Sequence, residues 1–439
     1  MAQEKSKEIP RTPADALRFG DCELFPSERL IRRQNTFLQL PPKAFDALLI
    51  LVRKAERLVR KEELIEALWP DTYVSEANLT NTIVLLRKTL GRNAIQTVSK
   101  YGYRLVLPVV GTPGVGPEIY ATFVRARDLT NNRSLESLYR ARDLYFVCIA
   151  GDPGFAPAWA WLGRCCRIIE KFGTAESASF DLARSALERA LTIDPDLAAA
   201  HHFYTQLQAD CGEAMAAMTR LLGRLHKDSD EPESFAGLVQ VLRVCGLLDQ
   251  SLAAHARARA LDPTIPTSVT HTHFVRGEYE AAIETYGQGK GYYLDAASWA
   301  SLGDSKRALA LLRQRLPGSQ LSPLMSGLMQ SLLAMLEGRH QDAADTMARA
   351  GVVRDPEVFF YFARHFSMMG NSRQAVEMLQ RALDEGFSAS YSMDRDAVWS
   401  PARKHRGFKQ VLHRAKAREA AAAKAFAQAG GPKLLTPAT

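Results

Sequence analysis

The sequence predicts a mostly α-helical chain, with a small α+β unit at the N-terminus and a long array of paired helices behind it. Three observations predict this. Residues 17–40 alternate as short strands, whereas apolar residues from Pro42 onward recur at helical spacing. Gly246, Gly277, Gly303, Gly338 and Gly370 each end one helical pattern just before another, and Asp152-Pro153, Asp194-Pro195 and Asp262-Pro263 follow Ala/Leu-rich ones. Finally, 439 residues are too many for one ordinary core, and 46% apolar with 24% charged residues marks a chain that folds rather than a disordered one.

The formal charge of +8 is unevenly spread: +5 over residues 1–110, −5 over 111–400 and +8 over 401–439. The basic head and tail suit a polyanion, and the acidic middle would be repelled by one. No stretch approaches the roughly 20 apolar residues of a membrane helix. The N-terminal MAQEKSKEIPRTP is charged and lacks an apolar core, so a signal peptide is not expected and a soluble, cytoplasmic protein is. The six cysteines form no CxxC and fit no zinc template; they read as buried reduced thiols. His201-His202 and His271-x-His273 lack a carboxylate or Cys at ligand spacing, so neither metal nor cofactor is expected.

LRFGDCEL, RLIRR and TFLQL read as strands, with turns at Pro26-Ser27-Glu28 and Gln34-Asn35. Pro41-Pro42 stops the last strand, and Pro42 suits the first turn of a helix. That helix runs to about residue 55 with Phe45, Leu48, Leu49 and Val52 on one face. A second runs from near Lys61 to Trp69, where Pro70 ends it.

The third helix is the informative one. Ser75 is its N-cap candidate, and Gly91 closes it. Leu79, Ile83, Leu86 and Leu90 form one apolar stripe. Asn81 and Lys88 lie opposite, flanked by Asn78, Leu85, Ala77 and Val84, with Thr80 and Arg87 at the shoulder. Asn can pair with adenine in the major groove, Val or Leu can touch a thymine methyl, and Lys and Arg can hold phosphates. Taken alone, the same face also suits an ordinary solvent-facing helix. The next segment favours the first reading. Ile95–Val98 alternates as a strand, 99–102 (SKYG) is a turn with a cation at its tip, and 103–107 (YRLVL) returns. A helix followed by a basic-tipped hairpin is a winged helix-turn-helix.

In LPPKAFDALLIL, VRKEELIEALWP, LLRKTLG and TVSKYGYRL, residues 17–109 resemble the effector domain of OmpR/PhoB-type response regulators. The resemblance implies an N-terminal antiparallel sheet, a three-helix core and a C-terminal hairpin. It implies that Asn78, Asn81, Thr82, Val84, Leu85, Arg87 and Lys88 face DNA and that Ser99, Lys100 and Arg104 belong to the wing. It further implies that Asp71 and Tyr73, in the 70–74 loop, could touch RNA polymerase. Ala77, Val84 and Leu85 stand where several family members carry arginines, which points to tandem or dimeric binding. With about 16 residues ahead of the domain, control by aspartyl phosphorylation within the chain is not expected.

Residues 110–117, within PVVGTPGVGPE, read as a linker after a disordered arm at 1–16. Residues 118–385 repeat with a period near 34 and small residues at helix crossings. They resemble tetratricopeptide repeats, seven or eight helix pairs stacked as an α-solenoid. Trp159, Trp161 and Tyr204 lie on first helices and are candidates for a groove taking a protein or peptide; core packing is the alternative. Residues 386–430 read as a loop and a basic capping helix, and 431–439 as a disordered tail. No nucleotide-binding or hydrolytic motif is present. Gly287–Gly291 has phosphate-loop flavour but neither its spacing nor a preceding strand, so no catalysis is expected. The chain thus reads as a bacterial one-component transcriptional regulator that binds double-stranded DNA, with repeats that sense, self-associate as a homodimer or recruit a partner. Two rivals are a scaffold whose winged helix no longer binds DNA and a repeat domain that senses a small molecule.

Overall fold

In the computed structural model, the described residues are 17–436 except 27, 34–35, 55–57, 71–73, 93, 100, 108, 111–116, 133, 173–179, 264, 287–292, 318–322 and 350–354. The expected 1–16 arm, the turn residues Ser27, Gln34 and Asn35, most of the linker, Asp71, Tyr73, Lys100, the Gly287–Gly291 segment and the last three residues therefore lie outside the described residues. The chain divides into two compact units, Met1–Tyr120 and Ala121–Thr439.

In the first unit, β1 (Leu17–Phe19) turns at Gly20 into β2 (Cys22–Phe25), so LRFGDCEL is a hairpin and not the single strand expected. Gly20 has φ +53°, a left-handed conformation that glycine adopts without a Cβ penalty. β3 (Leu30–Arg33) and β4 (Thr36–Leu38) extend the antiparallel meander, and Phe19, Leu24 and Ile31 point from it into the core.

α1 (Pro42–Arg53) begins with Pro42 in its first turn and buries Phe45, Leu48, Leu51 and Val52, with Leu49 half-buried beside them. β5 (Val59–Arg60) leads into α2 (Lys61–Leu68) and then α3 (Glu76–Leu90). β6 (Ile95–Val98) and β7 (Gly102–Leu105) form the hairpin, with β5 on the other side of β7. β8 (Val109–Val110) returns to pair with β1, so the start of the expected linker is a strand of the first sheet. One core holds the three helices and both sheets together.

Behind the first unit, α4 (Pro117–Asn132) meets α5 (Leu135–Gly151) through Thr130 and Phe123 on Tyr145, and the later helices pair in sequence: α6 (Ala156–Phe172) with α7 (Phe180–Ile193), α8 (Ala198–Asp210) with α9 (Ala214–Leu225), and α10 (Pro232–Val244) with α11 (Leu248–Leu261). There follow α12 (Val269–Arg276) with α13 (Tyr279–Tyr286), α14 (Leu294–Ser301) with α15 (Ser305–Arg315), α16 (Pro323–Leu336) with α17 (His340–Arg349), and α18 (Pro356–Met368) with α19 (Ser372–Asp384). The glycines that punctuate the sequence sit in the turns inside these pairs. At Gly246, φ is +79°, its N–H donates to Arg243 O at 2.9 Å and the next N–H reaches back to Leu242 O at 2.8 Å, which satisfies the last carbonyls of α10. The same bond pair recurs at Gly277, Gly303, Gly338 and Gly370. Alanines at the crossings, such as Ala183, Ala186 and Ala190, are fully buried and let the helices approach.

The array closes on itself. Gly212, in the α8–α9 turn, meets Glu385 and Gly386 at the end of α19; a Cβ on Gly212 would lie 2.5 Å from Glu385 O. Ser388 N–H donates to Val244 O at 3.0 Å. α20 (Ser390–Arg395) and two single-turn helices at 397–399 and 402–404 occupy the expected loop. The basic helix α21 (Phe408–Gln428) then buries Phe408, Val411, Ala415, Ala422 and Phe426 as it passes from α19 to α9. Its cap carbonyl, Ala429 O, meets His226 Nε2 at 2.8 Å. The tail departs from expectation: 431–435 form α22 (Gly431–Leu435), because Gly430, at φ +73°, reverses the chain and seats Gly431 on the Phe426 ring.

Gly212→Ala therefore combines a positive φ with a backbone clash and should cost about 1–3 kcal/mol. Hydrogen exchange on the intact chain should show faster exchange in peptides from 386–430 and unchanged exchange in 42–105.

Candidate nucleic-acid interface

The candidate interface is built on α3. Leu79, Ile83, Leu86 and Leu90 are at most 5% exposed, so the apolar stripe locks one side of the helix into the core. On the other side Ala77, Asn78, Thr80, Asn81, Val84 and Lys88 are exposed, and Thr82, Leu85 and Arg87 are half-buried. Val84 is 56% exposed, a branched apolar side chain held out among polar ones. Thr80 and Thr82 turn their hydroxyls to the carbonyls of Glu76 (3.0 Å) and Asn78 (2.9 Å), which leaves Asn78 and Asn81 as the amide-bearing groups of the face. Ser75 precedes the helix in extended conformation but makes no side-chain capping bond; Lys61 Nζ instead ties the first turn through Glu76 Oε2 at 2.5 Å.

Arg87 sits differently from its neighbours. Its Nε and Nη2 donate to Ile95 O at 3.0 and 2.8 Å, and Nη2 also donates to Thr97 Oγ1 at 2.6 Å. It is a positioning residue that fastens the C-terminal half of α3 to the first strand of the wing, a planar fork matched to a fixed carbonyl. Sequence periodicity put it at the shoulder of the outer face; the partner that draws it inward is a backbone atom, invisible to periodicity.

The wing is anchored equally firmly. Tyr101 O accepts Lys61 N–H at 2.9 Å, and a Cβ on Gly102 would lie 2.1 Å from Val59 O, so only glycine lets β5 approach β7 there. Ser99 and Tyr101 are exposed at the tip, and Arg104 is half-buried on β7 opposite Gln96. Lys100, the expected cation of the tip, and the loop residues Asp71 and Tyr73 lie outside the described residues.

The three aromatic groove candidates of the second unit are all half-buried and engaged. Trp159 Nε1 donates to Pro153 O at 2.9 Å, Trp161 packs edge-on against Phe203, and the Tyr204 hydroxyl donates to Glu188 at 2.9 Å. The inner face of the array carries instead two adjoining cavities of about 260 and 830 Å³, both lined by Arg167, Lys171, Gln206, Gln240 and His271 and by none of the three. Sequence reasoning missed this lining because its residues come from helices far apart in the chain. The six cysteines are free and all but Cys211 fully buried; burial pushes the Cys165 and Cys166 thiols up to about 12. Among the described residues no group of His, Cys, Asp or Glu could hold a metal ion, and no helix is long and apolar enough to cross a membrane.

Residues 34–105 match the family described as transcriptional regulatory protein, C terminal. The chain is 30% identical to the transcriptional regulator HilA of Salmonella typhi over 127 residues, which are 28% of this chain and 23% of HilA. It is 32% identical to the transcriptional activator CadC of Escherichia coli over 100 residues, 21% of this chain and 20% of CadC. The chain thus spans about a quarter or less of the length of these relatives. Among solved structures it is similar to the DNA-binding domain of E. coli CadC, at 32% identity and a TM-score of 0.21, covering 22% of this chain and 94% of that one. Over 71% of its length it is similar to one chain of the Cut9–Hcn1 hetero-tetramer, 64% of which is covered, at 14% identity and a TM-score of 0.47. Residues 34–105 are an OmpR/PhoB-type winged-helix domain, and the described residues behind it form an array of paired helices.

Arg87→Ala should cost about 1–3 kcal/mol through the lost bonds to Ile95 and Thr97 and should speed amide exchange in 95–98. Arg87→Lys should restore little, because a point charge cannot reproduce the fork. Hydrogen exchange and urea unfolding of both variants check this.

Proposed function

We propose that the chain is a sequence-specific DNA-binding transcriptional regulator. α3 enters the major groove, and the β6–β7 hairpin lies over the adjoining backbone or minor groove. One observation carries the reading: Asn78, Asn81, Val84 and Lys88 are exposed together on a helix whose opposite side is fully buried, so the face is available and rigidly aimed. Asn81 and Asn78 suit the paired donor and acceptor of adenine, Val84 suits a thymine methyl, and Lys88 at the C-terminal end suits a phosphate. Ser99, Lys100 and Arg104 supply the wing contacts, Thr80, Thr82 and Leu85 fill out the helix face, and Arg87 holds wing and helix in fixed relation.

A single lysine and two amides on the helix face make a weak monomeric grip, which supports binding as a homodimer or in tandem. The repeats serve sensing, self-association or recruitment, with Trp159, Trp161 and Tyr204 as candidate edges of a protein surface. Asp71 and Tyr73 are the candidates for RNA polymerase, by resemblance alone. We place the protein in the cytoplasm, where promoter DNA is. The scaffold reading predicts no duplex binding at any salt concentration, whereas a regulator loses affinity steeply as salt rises.

Asn81→Ala should relax sequence preference and cost about 1–3 kcal/mol at one base pair. Binding to a site selected from random duplexes, measured against all single-base variants, checks this; equal losses at every position would refute the assignment. Lys88→Ala should weaken binding uniformly and reduce the salt slope by about 1. An unaltered slope in a salt titration would remove Lys88 from the interface.

A further inference from the structure

The array closes around a lumen lined by first helices, and its chemistry is not that of a structural core. At its wall Arg167 Nε meets Asp210 Oδ2 at 2.7 Å, and Lys171 Nζ bridges Asp210 at 3.0 Å and Asp355 at 2.6 Å, joining α6 to α8 and to the start of α18. Deeper, Arg243 forks onto Glu357 at 3.1 and 3.0 Å, and Tyr361 donates to the same carboxylate at 2.7 Å. Burial works against the Lys171 ammonium, but Asp210 and Asp355 outweigh it and keep the side chain charged. Burial also opposes the Glu357 carboxylate, yet Arg243 and His271 hold it well below the usual range. Buried ion pairs of this kind add little stability relative to apolar packing. Four of them on one cavity wall call for a use beyond holding the helices together.

The two cavities adjoin, and their linings differ. The inner one, about 260 Å³, has an apolar side formed by Leu294, Leu324, Met325 and Leu328, and a polar side where Asp210, Asp355 and Glu357 are paired with Arg167, Lys171 and Arg243. The outer one, about 830 Å³, is lined by Arg164, Arg167 and Lys171 together with Thr, Ser, Gln and His side chains, and among the described residues by no carboxylate; Arg164 also stacks on the Trp161 and Phe203 rings. His202 adds no charge there at neutral pH, because burial lowers it to about 4. Arg167 and Lys171 are themselves paired with Asp210 and Asp355, and over both linings four cations, Arg164, Arg167, Lys171 and Arg243, stand against three carboxylates, Asp210, Asp355 and Glu357. The described lining thus keeps a small positive balance, which favours an anion, and an apolar recess behind a few convergent polar groups is the ordinary form of a small-molecule site.

We propose that this lumen binds a small organic anion. Its apolar or aromatic body seats against Leu324, Met325 and Leu328, and its acidic group lies at the entrance against Arg164, Arg167 and Lys171. The wall is assembled from residues as distant as Arg164 on α6 and Tyr361 on α18, so an occupant bridges early and late pairs of the closed array and favours the closed form over any opened one. The described residues that line this site all belong to the second unit, and the inference stands or falls separately from DNA binding.

The test uses the intact chain without DNA and two fluorescent probes that share one aromatic body: anilinonaphthalenesulfonate, which is anionic, and N-phenylnaphthylamine, which is neutral. Expected is saturable binding of the sulfonate at one site per chain, at least tenfold tighter than the neutral probe. Gln240→Trp, which fills the junction of the two cavities without touching an ion pair, should weaken it at least tenfold. Arg164→Gln, at the entrance, should weaken it severalfold and reduce its salt dependence; this second variant decides the matter if Gln240→Trp lowers the melting temperature. No saturable binding, equal affinity for both probes, or sulfonate binding unchanged in folded Gln240→Trp and Arg164→Gln would overturn the proposal.

Discussion

Everything the N-terminal unit can offer a duplex depends on burial of one side of α3. Four aliphatic side chains fix the helix in rotation about its own axis, so the residues between them have a determined direction. Burying a side chain of this size is worth about 1.5–3 kcal/mol, so rotation of α3 by half a turn would cost several times the energy of any single base contact. The outer face is therefore preorganised, and the ordering entropy of recognition is settled on folding. Arg87 extends the same constraint to the hairpin: by bonding Ile95 O it makes helix and wing one rigid clamp.

The repeat unit obeys a different constraint. Each pair buries only part of its apolar surface, and neighbours complete the core, as in any stacked array. Here the last pair also returns to the third and fourth, through the close approach of Gly212 to Gly386 and the bond from Ser388 to Val244. α21 then straps α19 to α9. Its Lys and Arg side chains remain outside while Phe408, Val411 and Phe426 are buried, so its basic composition reflects a solvated outer face over an apolar seam. Closure turns the inner face of an open groove into a lumen, and the ion pairs of Lys171 and Arg243 sit where the distant ends meet.

Where a residue's role depends on its neighbours along the chain, the sequence reveals it. The stripe of α3, the first-turn Pro42 and the glycines of the intra-pair turns are all local devices, and each is found at the position its spacing indicates. Roles that depend on tertiary partners stay hidden. Alternation runs straight through Gly20, so the β1–β2 hairpin reads as one strand. Ser75 has the right identity for a cap, but Lys61 and Glu76 secure that turn instead. Arg87 looks like a phosphate ligand until its carbonyl partner is seen. The short helix at 431–435 has too little apolar content to announce itself, and it forms because Phe426 provides a seat. Lys171 and Asp355 are 184 positions apart, and nothing along the chain marks them as partners.

The central claim is that the Asn- and Val-bearing face of α3 enters the major groove, and base-analogue interference tests it most directly. Duplexes carrying a selected binding site would be synthesised with deaza-adenine, which lacks the N7 acceptor, or with uracil, which lacks the thymine methyl, at one position at a time. The account predicts that affinity of the intact protein drops at a short run of adjacent positions within the site, and that Asn81→Ala abolishes the deaza-adenine effect at one of them. Affinity indifferent to every major-groove replacement, while minor-groove changes weaken it, would contradict the account.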